Sequence, residues 1–135
     1  MKKNGILNSE LSRVVAAMGH TDKLVICDSG LPIPRDAELI DLALSTNLPG
    51  FIDTLKVILE ELQIEEAIVA EEMLDVSCGV FDEVMTLLPE VKIQKVSHEE
   101  FKNITRNPEG NIAFVRTGEA TPYANIILVS GVTFN

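Results

Sequence analysis

Apolar positions change period several times along the chain, and each change predicts an element. Leu11, Val14, Val15 and Met18 recur at i, i+3, i+4 and i+7, the spacing of one helix face. Asn8 or Ser9 precedes them as an N-cap and Gly19 follows as a C-cap, so a first helix is expected between these limits. Leu24-Val25-Ile26-Cys27 is a short unbroken apolar run between Asp22-Lys23 and Asp28-Ser29-Gly30, as expected of a buried strand. Pro32 and Pro34 cannot serve a central ladder and predict a loop. From Asp36 to Leu44 two structures fit, a helix capped by Asp36 or an extended edge segment.

The helical period returns with Phe51, Leu55, Ile58, Leu59 and Leu62 on one stripe, predicting a helix over 51–62. Ala67-Ile68-Val69-Ala70, bounded by glutamate pairs, reads as a second buried strand. Phe81, Val84, Met85 and Leu88 repeat the helical spacing before Pro89, and Val91, Ile93 and Val96 suggest another strand. Ser97 followed three residues later by Glu100 has the form of a capping box, which opens a short helix with Phe101 and Ile104 inward and His98 and Lys102 on one face. Residues 111–117 and 125–130 read as two closing strands joined by the loop 118–124. Helices alternating with strands indicate an α/β layer fold. No linker or repeat interrupts the chain, and its length suits one core, so residues 1–135 are expected to form a single domain.

Charge narrows the partners. The formal net charge is -10, the wrong sign for nucleic acid or an anionic membrane surface, so neither is expected as a partner. No apolar run approaches the roughly 20 residues of a membrane span. The start, Met1-Lys2-Lys3-Asn4-Gly5, has the charges of a signal peptide without its apolar stretch, so a cytoplasmic location is expected. A mean hydropathy of +0.20 is high for so acidic a chain and points to apolar surface buried between copies of itself. Cys27 and Cys78 are too few and too far apart for a disulfide framework or a zinc site and are read as reduced thiols.

Chemistry must then come from few residues: two His, one Tyr and no Trp are present. No phosphate-binding glycine loop, metal-binding HExxH, nucleophile elbow or CxxC pair occurs, which leaves proton transfer by ordinary side chains. His20, between a helix end and a strand, is either an acid/base group for neutral pH or a surface imidazole at a helix terminus. Asp28 closes an apolar strand, where ligands of open α/β sheets bind; it either holds hydroxyls or caps the turn at Gly30. His98 and Lys102 offer donors one helical turn apart, or form a solvated face. Either Tyr123 and Asn125 face the same way in an extended segment, making a hydrogen-bonding edge for a neutral ligand, or Tyr123 is an aromatic anchor for its loop. The glutamate pairs at 60–61, 65–66, 71–72 and 99–100 read as solvated edges rather than a metal site, and Glu119 has no evident place.

Five stretches in order carry a resemblance: Gly19-His20-Thr21-Asp22, Cys27-Asp28-Ser29-Gly30-Leu31-Pro32-Ile33-Pro34, Ala70-Glu71-Glu72, His98-Glu99-Glu100-Phe101-Lys102, and Gly118-Glu119 with Pro122-Tyr123-Ala124-Asn125-Ile126-Ile127-Leu128. Together they resemble the ribose pyranase and fucose mutarotase family over the whole chain. The segment from Asp75 to Lys92 matches weakly, and Ser29 and Thr121 stand where relatives often carry other small residues. The resemblance implies a mixed sheet between helices, assembled as a pentameric ring or a homodecamer of two stacked rings. It also implies a cofactor-independent isomerase, without metal, that converts β-D-ribopyranose to β-D-ribofuranose in the cytoplasm for ribose catabolism. His20 matches the family's proton donor; Asp28, His98, Tyr123, Ala124 and Asn125 match its sugar-binding positions, with Lys102 beside them. A neighbour's Tyr123 loop is expected to meet His20 between subunits. The alternatives are a non-catalytic ribose-binding accessory of uptake, or a mutarotase for another sugar such as fucose.

Overall fold

The computed structural model describes all residues, Met1–Asn135. Its elements in chain order are α1 (Ser9–Ala17), β1 (Lys23–Cys27), β2 (Glu38–Asp41), α2 (Phe51–Leu59), β3 (Ile64–Ala70), α3 (Glu72–Val76), α4 (Cys78–Leu87), β4 (Lys92–Val96), α5 (His98–Arg106), β5 (Ile112–Arg116) and β6 (Ile126–Ser130). The six strands form one sheet in the order β2-β5-β1-β6-β3-β4. β2, β5 and β1 run parallel to one another, as do β3 and β4, while β6 lies antiparallel between β1 and β3. The single-domain α/β fold with a mixed sheet is therefore present.

Alternation along the strands divides two cores. Leu24, Ile26, Val69, Val115, Ile126 and Leu128 point to the face covered by α1, α2 and α4, where Val14, Leu55, Ile58 and Val84 meet them. Val25, Cys27, Ile68, Phe114 and Ile127 point to the other face, covered by Phe101 of α5 and by Leu31 of the proline loop. Each central strand is apolar on both sides, which is why β1 and β6 read as continuous apolar runs instead of alternating ones. Burying a side chain such as Phe101 or Ile127 contributes about 1.5–3 kcal/mol.

Several expectations need adjusting. The segment Asp36 to Leu44 resolves as an edge strand, β2, because its partner β5 supplies a parallel ladder from Ala113 to Arg116. α1 is capped as expected, with Asn8 Oδ1 accepting the Leu11 N–H at 2.9 Å, but Gly19 is not its left-handed C-cap. The helix ends at Ala17, Met18 is already extended, and the left-handed residue of the turn is Thr21, at φ 71°. α2 stops at Leu59, although Leu62 remains buried. α3 has no counterpart among the predicted elements, since five residues are too few to display a helical stripe. Ser97 caps α5 by accepting the Glu100 N–H at 3.1 Å.

Candidate active site

The antiparallel placement of β6 brings its first residues to the carboxyl ends of β1 and β3. There Asn125, fully buried, accepts the Asp28 N–H on Oδ1 at 2.8 Å and donates from Nδ2 to Asp28 Oδ2 at 3.2 Å. Asp28 Oδ1 accepts the Gly30 N–H at 2.9 Å. Asp28 thus performs the turn-capping role, while its carboxylate borders a cavity of about 230 Å³ lined by Asp28, Gly30, Leu31, Pro32, His98 and Tyr123.

His98 opens α5, and its ring meets Tyr123 edge to face with centroids 4.9 Å apart. His98 lines this cavity, and its Nδ1 is covered and has no hydrogen-bond partner. Tyr123 is not extended, contrary to the premise of a shared Tyr123 and Asn125 edge. It sits at φ 61°, and the Asn125 N–H returns to the Tyr123 carbonyl at 2.8 Å. The turn sends the Asn125 side chain inward to Asp28 and leaves the Tyr123 ring against His98. A left-handed Tyr is strained, of the order of 1–3 kcal/mol, and such strain gathers at functional sites. Ala124 buries its methyl in the core, and its N–H donates to the Thr121 carbonyl at 3.4 Å. Lys102 stands one turn from His98 but is drawn aside by Glu99, with Nζ to Oε1 at 2.6 Å, and does not line the cavity. That contact holds the Glu99 carboxyl below its usual range.

His20 lies elsewhere. It precedes β1, whereas Asp28 follows it, and a strand rise of about 3.3 Å per residue puts Lys23 and Asp28 roughly 16 Å apart. The flanking Thr21 N–H bonds Ser130 O, at the far end of β6 from Asn125. One chain therefore gathers Asp28, His98, Tyr123 and Asn125 at one end of the sheet and carries His20 at the other. His20 Nε2 lies 3.0 Å from Glu65 Oε2.

Several of the paired glutamates accept hydrogen bonds within the protein instead of only edging it in solvent. Glu72 accepts the His98 N–H with both oxygens, at 3.0 and 3.1 Å, and so seats the first residue of α5. Glu61 accepts the Ile6 N–H. Glu119 finds its place: Oε1 accepts the Phe51 N–H at 2.9 Å, capping α2 where Gly50 offers no side chain, and Oε2 accepts the Thr121 hydroxyl at 2.7 Å. Its backbone carbonyl accepts the Ser29 N–H at 2.9 Å, joining the loop after Asp28 to the loop before Tyr123. Burial pushes the Glu119 carboxyl up, but the hydrogen bonds from Phe51 and Thr121 outweigh it and hold it below the usual range. None of these long-range acceptors has a signature in local sequence; a helix start with Gly at the cap position is the one available hint. Behind Asp28, burial and the neighbouring carboxylate push the Cys27 thiol up to about 12, which leaves it a packing group.

A family model described as the RbsD / FucU transport protein family matches residues 1–133. A D-ribose pyranase from Coprothermobacter proteolyticus is 54% identical over 134 residues, covering 99% of this chain and 100% of the relative. The structure of Bacillus subtilis RbsD complexed with D-ribose superposes with a TM-score of 0.92 at 47% identity, covering 99% of this chain and 100% of that one. The fucose mutarotase of Streptococcus pneumoniae in complex with L-fucose shares the fold at a TM-score of 0.76 with 23% identity, over 95% of each chain.

Proposed function

The chain belongs to the RbsD / FucU transport protein family, and from that membership we propose that it interconverts β-D-ribopyranose and β-D-ribofuranose, as an isomerase of the sugar ring. The observation that carries this reading is the 54% identity to a D-ribose pyranase across essentially the full length of both chains.

The residues suit the reaction. Opening a hemiacetal requires a proton delivered to the ring oxygen and one removed from the anomeric hydroxyl; the C1–ring oxygen bond breaks and an aldehyde results. Closure to the furanose requires the C4 hydroxyl to add to that aldehyde while losing its proton, and the aldehyde oxygen to gain one. His20, cycling between imidazolium and imidazole, gives the first proton and takes a later one. Asp28, held in place by Asn125 and Gly30, accepts from sugar hydroxyls, and His98 lines the cavity beside it. Tyr123, packed edge to face on His98, lines the same cavity, and Lys102 reaches the sugar if it leaves Glu99. Positioned acid/base groups supply roughly 10²–10⁴-fold, which suffices for an exchange that is already fairly fast in water.

The roughly 16 Å between Lys23 and Asp28 favours a site shared between subunits, with His20 of one copy completing the Asp28, His98 and Tyr123 pocket of the next. We place the chain in a ring of five or two stacked rings, in the cytoplasm upstream of ribose phosphorylation. Exposed Leu7, Leu44, Leu48 and Phe134 supply apolar surface for such contacts, and no helix is long and apolar enough to cross a membrane. Saturation-transfer NMR on D-ribose tests the activity: faster pyranose to furanose exchange with protein is expected, and exchange at the rate of protein-free buffer overturns it. Running the same experiment on L-fucose separates the sugar preferences, ribose being expected to respond the more strongly.

A further inference from the structure

We infer that Glu65 is the positioning residue for His20, and that it assigns Nδ1 as the imidazole nitrogen that exchanges protons with the sugar. The inference rests on the catalytic role proposed above for His20.

Glu65 is aimed by the backbone. β3 and β6 pair Ile64 with Ser130 and then Glu66 with Val129, so two steps on β3 oppose one on β6 and Glu65 is the extra residue of a β-bulge. A bulge turns a side chain away from the alternation of its strand, and bulges concentrate beside active sites. Gly131 packs directly on it: a Cβ at 131 would lie 3.3 Å from both Glu65 Cβ and Glu65 N. On the facing side, the His20 turn is pinned to the same strand end by Thr21 N–H to Ser130 O at 2.9 Å and Ser130 N–H to Asp22 O at 2.8 Å. Thr21 adopts φ 71° there, a conformation that a β-branched residue rarely accepts.

These features set Glu65 Oε2 3.0 Å from His20 Nε2. A carboxylate only accepts, so Nε2 holds a hydrogen toward Glu65 throughout the cycle and the ring is fixed in orientation. Nδ1 is then left to give its proton to the ring oxygen and to take one back from the C4 hydroxyl at closure. Asp22, the other carboxylate of this turn, is not available to the ring; its Oδ2 accepts the Gly19 N–H at 2.8 Å and its Oδ1 accepts from Asn111 Nδ2 at 3.1 Å.

Three proteins test this, each first shown to keep the wild-type mass by sedimentation. Glu65→Leu removes the acceptor and is expected to lower kcat for ribose exchange by at least about tenfold, part of the span of a positioned acid/base group, with KM unchanged. Glu65→Gln keeps a carbonyl acceptor and is expected to recover part of that loss. Nδ1-methylhistidine at position 20 is expected to abolish exchange. Wild-type kcat in Glu65→Leu, equal losses in the Leu and Gln variants, a change confined to KM, or retained exchange with Nδ1-methylhistidine each overturn the assignment. Wild-type exchange in His20→Ala instead overturns the role of His20 itself, a separate outcome.

Discussion

Asn125 holds Asp28 by both ends of one amide, taking its backbone N–H at 2.8 Å and giving a hydrogen to its carboxylate at 3.2 Å. The pair ties the end of β1 to the start of β6, so the pocket carboxylate is oriented by a side chain that is itself fully buried. Asn125→Ala leaves the Asp28 N–H without its acceptor, and a buried orphan costs about 1–3 kcal/mol. Urea unfolding is expected to show that loss, together with weaker ribose exchange. Stability equal to the wild type would mean that the amide does not anchor the site.

His20→Ala is expected to reduce exchange to near the buffer rate while assembly stays intact, because the side chain is half exposed and its one polar partner is Glu65. Saturation-transfer NMR beside sedimentation velocity measures both. Exchange at the wild-type rate would remove His20 from the reaction.

Shared sites predict rescue. His20→Ala and Tyr123→Phe proteins, each weak alone, are expected to regain activity when unfolded together and refolded as mixed assemblies, since some interfaces then pair an intact His20 with an intact Tyr123. Mixtures no more active than the sum of the two parents would place the whole site within one chain.

Glu119 makes stability sensitive to acid. Its carboxyl is held below the usual range, chiefly against burial, by the Phe51 and Thr121 hydrogen bonds. A carboxylate depressed in the folded state contributes stability fully present above its unfolded value near 4.3 and lost as pH falls through the lower folded value. Glu119→Gln removes this contribution, so the variant is expected to be less stable at pH 7 and to approach the wild type near pH 3, by urea midpoints. A constant gap across that range would refute the ionic part of the cap.

Period and capping residues made the strands β1, β3 and β6 and the helices α1, α2 and α5 legible, because each carries either an unbroken apolar run or a stripe. The end of α1 is not legible in the sequence, because Gly19 has the residue type of a C-cap while the left-handed turn falls on Thr21. The edge strand β2 stayed ambiguous since only Ile40 of its four residues is buried, and its identity comes from pairing with β5. Asp28, His98, Tyr123 and Asn125 are each legible as polar candidates, and the fold collects them. What no local pattern reveals is that His20 sits across the sheet from them, or that Glu65, Glu72 and Glu119 are acceptors for groups 26 to 68 residues away.

β6 joins both half-sites in one short strand, with Asn125 just before its start and Ser130 beside the His20 turn at its end. On the proposed sharing, a dissociated chain owns two halves and no whole. Specific activity would then fall on dilution, with a steeper than linear dependence on protein concentration, and the enzyme would switch itself off wherever its copies are too sparse to meet.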